Sequence, residues 1–253
     1  MDAAEQEVGV RAWIRVLGQG LVDLLLPPLC VVCEKPGHGH LCAKCLASMH
    51  PMSAPICHRC GRALPLALPS GGTFVHDGSI CGRCRELSPA FDACRAYGPY
   101  AGALRTAILA VKFGGRRAAI PPLGQLLVRV FESEPLLQRA RVAVPVPLHP
   151  RRYGRRGFNQ SELLARELCR HTGLVLHTGL LKRVRETPPQ VGLGARERRE
   201  NLREAFQVVG PVPGDAVLLV DDVVTTGATF NECASALRHA GCGAVYALAL
   251  AHD

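Results

Sequence analysis

The 253-residue sequence contains no apolar run long enough to cross a bilayer. Arg11, Arg15 and Asp23 interrupt the one candidate segment near the N-terminus, and no small-residue cleavage site follows it. We therefore expect neither a membrane span nor a secretory signal peptide. A reducing cytoplasm, including the inner face of the membrane, is the expected location, and paired cysteines there indicate a metal before a disulfide.

Several common catalytic motifs are also missing. The sequence has no G-x-x-x-x-G-K-[ST], which argues against a P-loop, and "GLG" at residues 192–194 follows no predicted strand and lacks the third glycine of a dinucleotide fingerprint. No convincing Ser/His/Asp or Cys/His set is present that could supply a protein nucleophile. Covalent catalysis is therefore not expected.

Cysteine is the residue that the sequence has in excess, with 12 copies. Eight of them form C-x-x-C pairs within 55 residues, and two such pairs complete a tetrahedral zinc site. We predict two structural zinc ions, and the spacing leaves sequential and interleaved pairing of the knuckles open. The predicted ligands are Cys30, Cys33, Cys42, Cys45, Cys57, Cys60, Cys81 and Cys84. The unpaired cysteines are predicted to be small core residues: Cys94, Cys169, Cys233 and Cys242.

The positive charge of the chain is concentrated in one window. Residues 141–203 contain 14 Lys/Arg against 5 Asp/Glu, whereas the rest of the chain is balanced at 16 against 16. Residues 30–84 contain only five Lys/Arg and two acids, and each four-thiolate zinc site would add a net charge of about −2. This predicts a structural role for the cysteine module and argues against sequence-specific DNA binding by it.

The remaining pattern predicts an α/β fold. Residues 8–26 have the spacing of an amphipathic helix, which could pack on the protein body or dock on a partner or membrane surface. After residue 97, helical segments such as "SELLARELCRH" alternate with short apolar runs such as "AVYALALA", which indicates a parallel sheet with crossover helices. We predict three units: a helix at 1–29, a zinc module at 30–94 and an α/β domain at 95–253.

One stretch carries a specific chemical signal: "VLLVDDVVTTGAT" at residues 217–229. It predicts a buried strand that ends in two acids, followed by a loop of small and hydroxyl residues that enters a helix. Such a loop can hold a phosphate through backbone N–H groups and the helix dipole. Asp221 and Asp222 would repel a phosphate, but they suit sugar hydroxyls. A sugar phosphate fits both halves of the stretch.

This stretch resembles the phosphoribosyl diphosphate (PRPP) binding motif of type I phosphoribosyltransferases. Together with the cysteine pairs, it resembles the ComF family, double zinc ribbon proteins with a phosphoribosyltransferase-like domain that are linked to competence and DNA uptake. The segments "LLLPPLCVVC", "CHRCG", "LRTAILAVKFGGR", "VPVPLHPRRYGRRGFNQSELLA" and "TPPQVGLGARERRENLREAF" occur in the family's order. The resemblance implies a type I phosphoribosyltransferase-like parallel sheet flanked by helices, with a small N-terminal zinc-ribbon module.

The resemblance also implies residue roles. By this resemblance, the ribose hydroxyls are bound by Asp221 and Asp222. The 5′-phosphate is bound by Thr225, Thr226, Gly227, Ala228 and Thr229. The pyrophosphate loop corresponds to Arg151, Arg152, Asn159 and Gln160, with Arg155 and Arg156 as the catalytic candidates. A flexible loop over the reacting centre corresponds to Gln190, Arg196 and Arg199. A solvated basic turn and an exposed helix start remain the structural alternatives for the last two segments.

Two functions remain open at this point. One is transfer of a phosphoribosyl group to an acceptor such as a nucleobase, with magnesium bound through the substrate phosphates and pyrophosphate released. The other is an accessory protein of DNA uptake that senses PRPP without turnover and contacts single-stranded DNA or the uptake machinery. The sequence does not identify the acceptor.

Overall fold

The computed structural model describes residues 27–37, 39–53, 55–65, 79–185 and 204–253. The predicted N-terminal helix at residues 8–26 lies outside the described residues. So does the segment that resembles the flexible loop, including Gln190, Arg196 and Arg199. The predicted boundaries between the three units stay predictions.

A five-stranded parallel sheet forms the centre of the α/β domain, in the order β1-β7-β6-β2-β3. Its strands are β1 (Ala93–Pro99), β2 (Val142–Pro145), β3 (Val175–Leu176), β6 (Ala216–Val224) and β7 (Ala244–His252). The central β6 and β7 are apolar along most of their length because helices cover both faces of the sheet. A separate antiparallel pair consists of β4 (Leu181–Arg183) and β5 (Phe206–Val208).

Seven α-helices are present in the described ranges. The zinc module contributes α1 (Ala43–Ala47) and α2 (Gly82–Leu87). The α/β domain contributes α3 (Gly102–Lys112), α4 (Ile120–Ser133), α5 (Pro150–Arg156), α6 (Gln160–Thr172) and α7 (Ala228–His239), with 3-10 turns at Arg117–Ala119 and Leu137–Arg139. The predicted α/β class, with a parallel sheet flanked by helices and an N-terminal zinc-ribbon module, is confirmed.

The two faces of the sheet carry separate hydrophobic clusters. Alternate residues of β7 belong to different clusters, Tyr246 to one and Ala247 to the other, because successive side chains of a strand point to opposite faces. The first cluster packs α3, α4 and α6 against the sheet. The second packs α7 and the β4–β5 pair against the other face.

The cysteine module covers the edge strand β1. The backbone N–H of Cys94 donates to the Arg59 carbonyl at 2.7 Å, and that of Met52 donates to the Tyr97 carbonyl at 2.6 Å. Gly61 lies so close that a Cβ atom there would be 2.5 Å from the Cys94 carbonyl oxygen. These contacts satisfy backbone groups that an edge strand would otherwise leave open to another chain.

None of the helices in the described ranges combines the length and the apolar character needed to cross a bilayer.

Candidate active site and metal sites

The two predicted acids lie in the carboxyl-terminal half of β6. Asp222 is only 4% exposed, and Asp221 is half-buried beside it. Asp221 Oδ1 accepts hydrogen bonds from the Ser161 hydroxyl at 2.7 Å and from the Asp222 backbone N–H at 2.9 Å. Ser161 lies in the first turn of α6, so the residue after "FNQ" fixes the orientation of the first acid. This edge of a parallel sheet is where α/β proteins bind ligands.

A lysine that the sequence analysis did not assign completes the acid site. Lys112, the last residue of α3, places its Nζ 2.8 Å from Asp222 Oδ2. Burial lowers the pKa of Lys112, but the carboxylates of Asp222 and Asp221 raise it by more, so the net pKa is raised. Burial and the neighbouring Asp222 raise the pKa of Asp221 to about 7, against the opposing effects of Lys112 and Ser161. The site therefore combines two coupled carboxyls with one ammonium group.

The predicted phosphate loop follows β6 directly. Gly227 has a φ of +75° and is the N-cap of α7, a left-handed conformation that disfavours residues with a Cβ atom. The Thr226 hydroxyl accepts a hydrogen bond from the Ala228 backbone N–H at 3.3 Å. The loop thus leads into the N-terminus of a 12-residue helix, an arrangement that can hold a phosphate. Thr229 lines the cleft beside this N-terminus.

The predicted basic loop is a short helix, α5, which begins at Pro150 directly after the N-cap His149. Arg152, Arg155 and Arg156 line the cleft, whereas Arg151 is exposed and is not among the lining residues. The guanidinium of Arg156 donates to Gln160 Oε1 and lies 5.7 Å from the centroid of the Phe113 ring. Burial lowers the pKa of Arg156, and Arg152 adds to that effect against Asp222 and Asp221. The helix thus presents three of its four arginines, at i, i+3 and i+4 spacing, to the cleft.

Asn159 serves the architecture of the site. It is 7% exposed and caps α6, with Oδ1 accepting from the Ser161 backbone N–H at 3.1 Å. Its Nδ2 donates to the Val146 carbonyl at 3.0 Å. Both ends of the amide are therefore engaged within the protein, and Asn159 is not among the cleft-lining residues.

A cleft of ~920 Å³ joins the acids, the phosphate loop and the arginine helix. Its volume lies at the upper end of the range for small-molecule sites. One wall is a face of α3 formed by Arg105, Leu109 and Lys112, while the opposite face of α3 is buried in the core. Asp221, Asp222 and the α5 arginines come together in this cleft although about 70 residues separate them in sequence.

Sequence reasoning missed Lys112 and Ser161 as site residues. Both lie inside segments that it quoted, "LRTAILAVKFGGR" and "VPVPLHPRRYGRRGFNQSELLA". Lys112 is at the carboxyl end of an amphipathic helix, where a lysine is also expected as a favourable partner of the helix dipole. Only the packing of α3 across the sheet edge distinguishes the two roles.

The eight paired cysteines form two groups of four. Within each group the Sγ atoms all lie within 4.8 Å of one another, and none of the eight is in a disulfide. The Cys33–Cys42 and Cys60–Cys81 Sγ distances are 3.9 and 3.8 Å. Tetrahedral zinc with Zn–S bonds of ~2.3 Å needs sulfur atoms about 3.8 Å apart, so both groups fit a zinc ion. The pairing is sequential: Cys30, Cys33, Cys42 and Cys45 in one group, and Cys57, Cys60, Cys81 and Cys84 in the other.

The first cysteine of each group has a lowered thiol pKa, which favours the thiolate form that binds metal. Burial raises the pKa of the Cys30 thiol. Hydrogen bonds from backbone N–H groups, of which that of Cys42 has the largest effect, lower the pKa by more, so the net pKa falls to about 6. The same balance lowers the pKa of Cys57 to about 7. Of the unpaired cysteines, Cys94, Cys233 and Cys242 are buried core residues as predicted, whereas Cys169 is only half-buried.

Comparisons with known proteins agree with these features. A family model described as a double zinc ribbon domain matches residues 21–85. DNA utilization protein YhgH of Salmonella typhi is 34% identical over 232 residues, which cover 88% of this chain and 96% of that protein. Competence protein F of Haemophilus influenzae is 32% identical over 209 residues, which cover 79% of this chain and 91% of that protein. A Lactococcus lactis protein named as a candidate ribose-phosphate pyrophosphokinase is 45% identical over 47 residues, 19% of this chain and 15% of that protein.

The fold, the cysteine groups and the family match define a double zinc ribbon protein that also carries a parallel α/β domain. The two long matches extend over both parts. The chain belongs to the ComF family, as the sequence resemblance predicted.

Proposed function

We propose that the protein binds PRPP in the cleft and transfers its phosphoribosyl group to an acceptor, with release of pyrophosphate. By analogy with the names of its relatives, we place this activity in the uptake or use of DNA. The short similarity to the candidate ribose-phosphate pyrophosphokinase supports PRPP chemistry to the extent of 47 residues.

One observation carries the proposal: the acid pair of β6, a helix N-terminus and an arginine-bearing helix meet in one cleft. PRPP has three chemically different parts that need three such partners. The ribose hydroxyls would donate to Asp221 and Asp222, and the 5′-phosphate would accept from the N–H groups that start α7. The diphosphate would lie against Arg152, Arg155 and Arg156, whose positive charges would offset its negative charge.

The proposed reaction breaks the bond between C1′ and the diphosphate oxygen, whose electron pair leaves with the diphosphate. The acceptor atom supplies the pair for the new bond to C1′. Arginines that strengthen their contacts as charge develops on the leaving group would accelerate this step. Magnesium belongs to the substrate in this proposal, since it binds through phosphate oxygens and retains waters.

A second function is favoured by a different observation. Phe113 is 76% exposed and lines the cleft near Arg156, and Tyr153 is 49% exposed on α5, outside the cleft lining. Exposed rings among cations can stack bases of single-stranded DNA, at about 1–3 kcal/mol per base. We propose this surface as the DNA contact of an accessory protein that binds PRPP without turnover, should transfer not occur.

Calorimetric titration with PRPP and magnesium tests the first proposal. Asp221→Asn combined with Asp222→Asn should weaken binding by at least about tenfold, because ribose hydroxyls lose charge-assisted hydrogen bonds of roughly 1.5–3 kcal/mol. The control is Asp215→Asn, an exposed acid just before the opposite end of β6, which should bind like the wild type. Unchanged affinity of the double variant would place the ribose elsewhere.

Turnover separates the two functions. Pyrophosphate release is measured with a panel of nucleobases for the wild type and for Arg155→Ala with Arg156→Ala. A transferase should lose more turnover than PRPP affinity in this variant. If the wild type releases no pyrophosphate with any acceptor, while Phe113→Ala with Tyr153→Ala weakens binding of oligothymidine, the accessory function is favoured.

A further inference from the structure

The two cysteine groups are alike in local geometry. In the first, the backbone N–H of Cys42 donates to Cys30 Sγ at 3.4 Å, and in the second that of Cys81 donates to Cys57 Sγ at 3.3 Å. Cys42 and Cys81 are each the N-cap of a short helix, α1 and α2. Cys42 and Cys81 therefore occupy equivalent positions in a repeated unit.

The two groups pack on opposite faces of the sheet. Cys30 and Cys45 belong to the hydrophobic cluster that contains the buried face of α3. Cys60 packs against the other cluster, which contains Phe91 and the first residues of α7. Each group thus supports a different element of the ligand cleft, although both are of the same chemical kind.

The second group lies directly behind the phosphate loop. A cavity of ~80 Å³ separates them, with Cys60, Cys84 and Phe91 lining it together with residues 224–228. The Phe91 ring lies beside Gly227, where a Cβ atom would be in ordinary van der Waals contact with the ring at 3.7 Å. The phosphate loop therefore lies between the zinc module on one side and the ligand cleft on the other.

Hydrogen bonds connect the same segment to α7. The chain between α2 and β1 donates the Ala90 N–H to Asn231 Oδ1 at 2.9 Å, one turn into the helix. Arg238 of α7 forms an ion pair with Asp92 and also donates to the Ala90 carbonyl at 3.4 Å. No corresponding hydrogen bond links the first cysteine group to α7 in the described part of the chain.

We propose that the second zinc group, formed by Cys57, Cys60, Cys81 and Cys84, positions the phosphate loop for its ligand, and that the first group does not. This inference rests on the proposed function for the identity of the ligand, a sugar phosphate. A zinc ion bound by this group would fix the positions of its two knuckles. The segment that follows α2 then places Phe91 beside Gly227 and Ala90 beside Asn231. These two contacts set the direction of the α7 N-terminus. Phosphate affinity then depends on the occupancy of one zinc site out of two.

The experiment compares Cys81→Ser with Cys42→Ser, its equivalent in the first group. Zinc content, ribose 5-phosphate affinity by calorimetry, and amide hydrogen exchange are measured for both and for the wild type. Cys81→Ser should weaken ribose 5-phosphate binding by about tenfold or more, the equivalent of one lost charge-assisted hydrogen bond, and speed exchange at the start of α7. Cys42→Ser should retain most of the affinity and speed exchange in α3 instead.

A pair of variants that leaves every zinc ligand in place addresses the case in which a cysteine variant fails to fold. Asn231→Ala removes the acceptor of the Ala90 N–H, and Ser235→Ala changes a partly exposed residue one turn further along α7. Asn231→Ala should weaken ribose 5-phosphate binding while the protein still holds both zinc ions. Ser235→Ala should behave like the wild type.

The outcomes separate this inference from the proposed function. Equal loss of affinity and equal exchange changes in Cys42→Ser and Cys81→Ser would overturn the inference, as would a wild-type affinity of Asn231→Ala. A wild type that binds neither ribose 5-phosphate nor PRPP would refute the proposed function. In that case, faster exchange at the α7 start confined to Cys81→Ser and Asn231→Ala would still support the positioning role, and its absence would refute it.

Discussion

Replacing Lys112 by methionine tests how the acid site is held together. Lys112 Nζ lies 2.8 Å from Asp222 Oδ2, and the two side chains are 22% and 5% exposed. The substitution leaves a buried carboxylate without its ion-pair partner, beside a second carboxyl whose pKa is already raised. Loss of one member of a buried pair costs about 3–5 kcal/mol of unfolding free energy. Since Lys112 is partly exposed, we expect a value near the lower end.

The loss of stability caused by Lys112→Met should depend on pH. Lys112 lowers the pKa of Asp221, so without Lys112 the pKa of Asp221 in the folded protein is higher still, and this side chain holds a proton that the unfolded chain has released. Stability then falls as the pH rises through the interval between the unfolded and folded pKa values. Lys112→Met should therefore destabilise the protein more at pH 8 than at pH 5, where protonated Asp221 adds no second charge beside Asp222.

Urea unfolding at the two pH values, followed by circular dichroism, measures the effect. Lys182→Met, at an exposed position of β4, is the control and should change stability by less than about 0.5 kcal/mol. Adding Asp222→Asn to Lys112→Met should recover much of the loss, because the buried charge is then removed together with its partner. A loss below about 1 kcal/mol at both pH values would refute the assigned role of the ion pair.

Three further predictions concern the zinc ions, the acid Asp221 and the contact between the zinc module and β1. Elemental analysis of protein purified without chelator should find about two zinc ions per chain, and fewer than one would contradict the assigned ligands. Asp221→Asn should gain stability relative to the wild type as the pH rises from 5 to 8, by up to about 3 kcal/mol, since the folded pKa of about 7 lies about two units above pH 5 and ionisation of the wild-type carboxyl over that interval opposes folding. Thermal unfolding across pH is the measurement, and a parallel pH profile in variant and wild type would argue against it. Gly61→Ala should destabilise by roughly 1–3 kcal/mol more than Gly214→Ala, because both have positive φ but only Gly61 faces a carbonyl oxygen at 2.5 Å; equal losses in urea unfolding would indicate that the zinc module yields freely at β1.

Local sequence determined much of this protein. Thiolate spacing in a C-x-x-C knuckle is set within four residues, so the eight zinc ligands could be identified without a fold. The same holds for the acids and the small-residue loop at residues 221–229, because strand, loop and helix N-terminus follow one another in the chain. The alternation of helices and apolar strands predicted the parallel sheet for the same reason.

Tertiary structure decided the features that depend on distant residues meeting. The spacing of the knuckles allowed two pairings, and only the positions of the Sγ atoms distinguish the sequential one. Lys112 and Ser161 become site residues because α3 and α6 pack against the end of β6, and neither helix reveals that by its own periodicity. The two zinc groups look alike in sequence, yet they face opposite sides of the sheet, since β1 offers alternate side chains to each face.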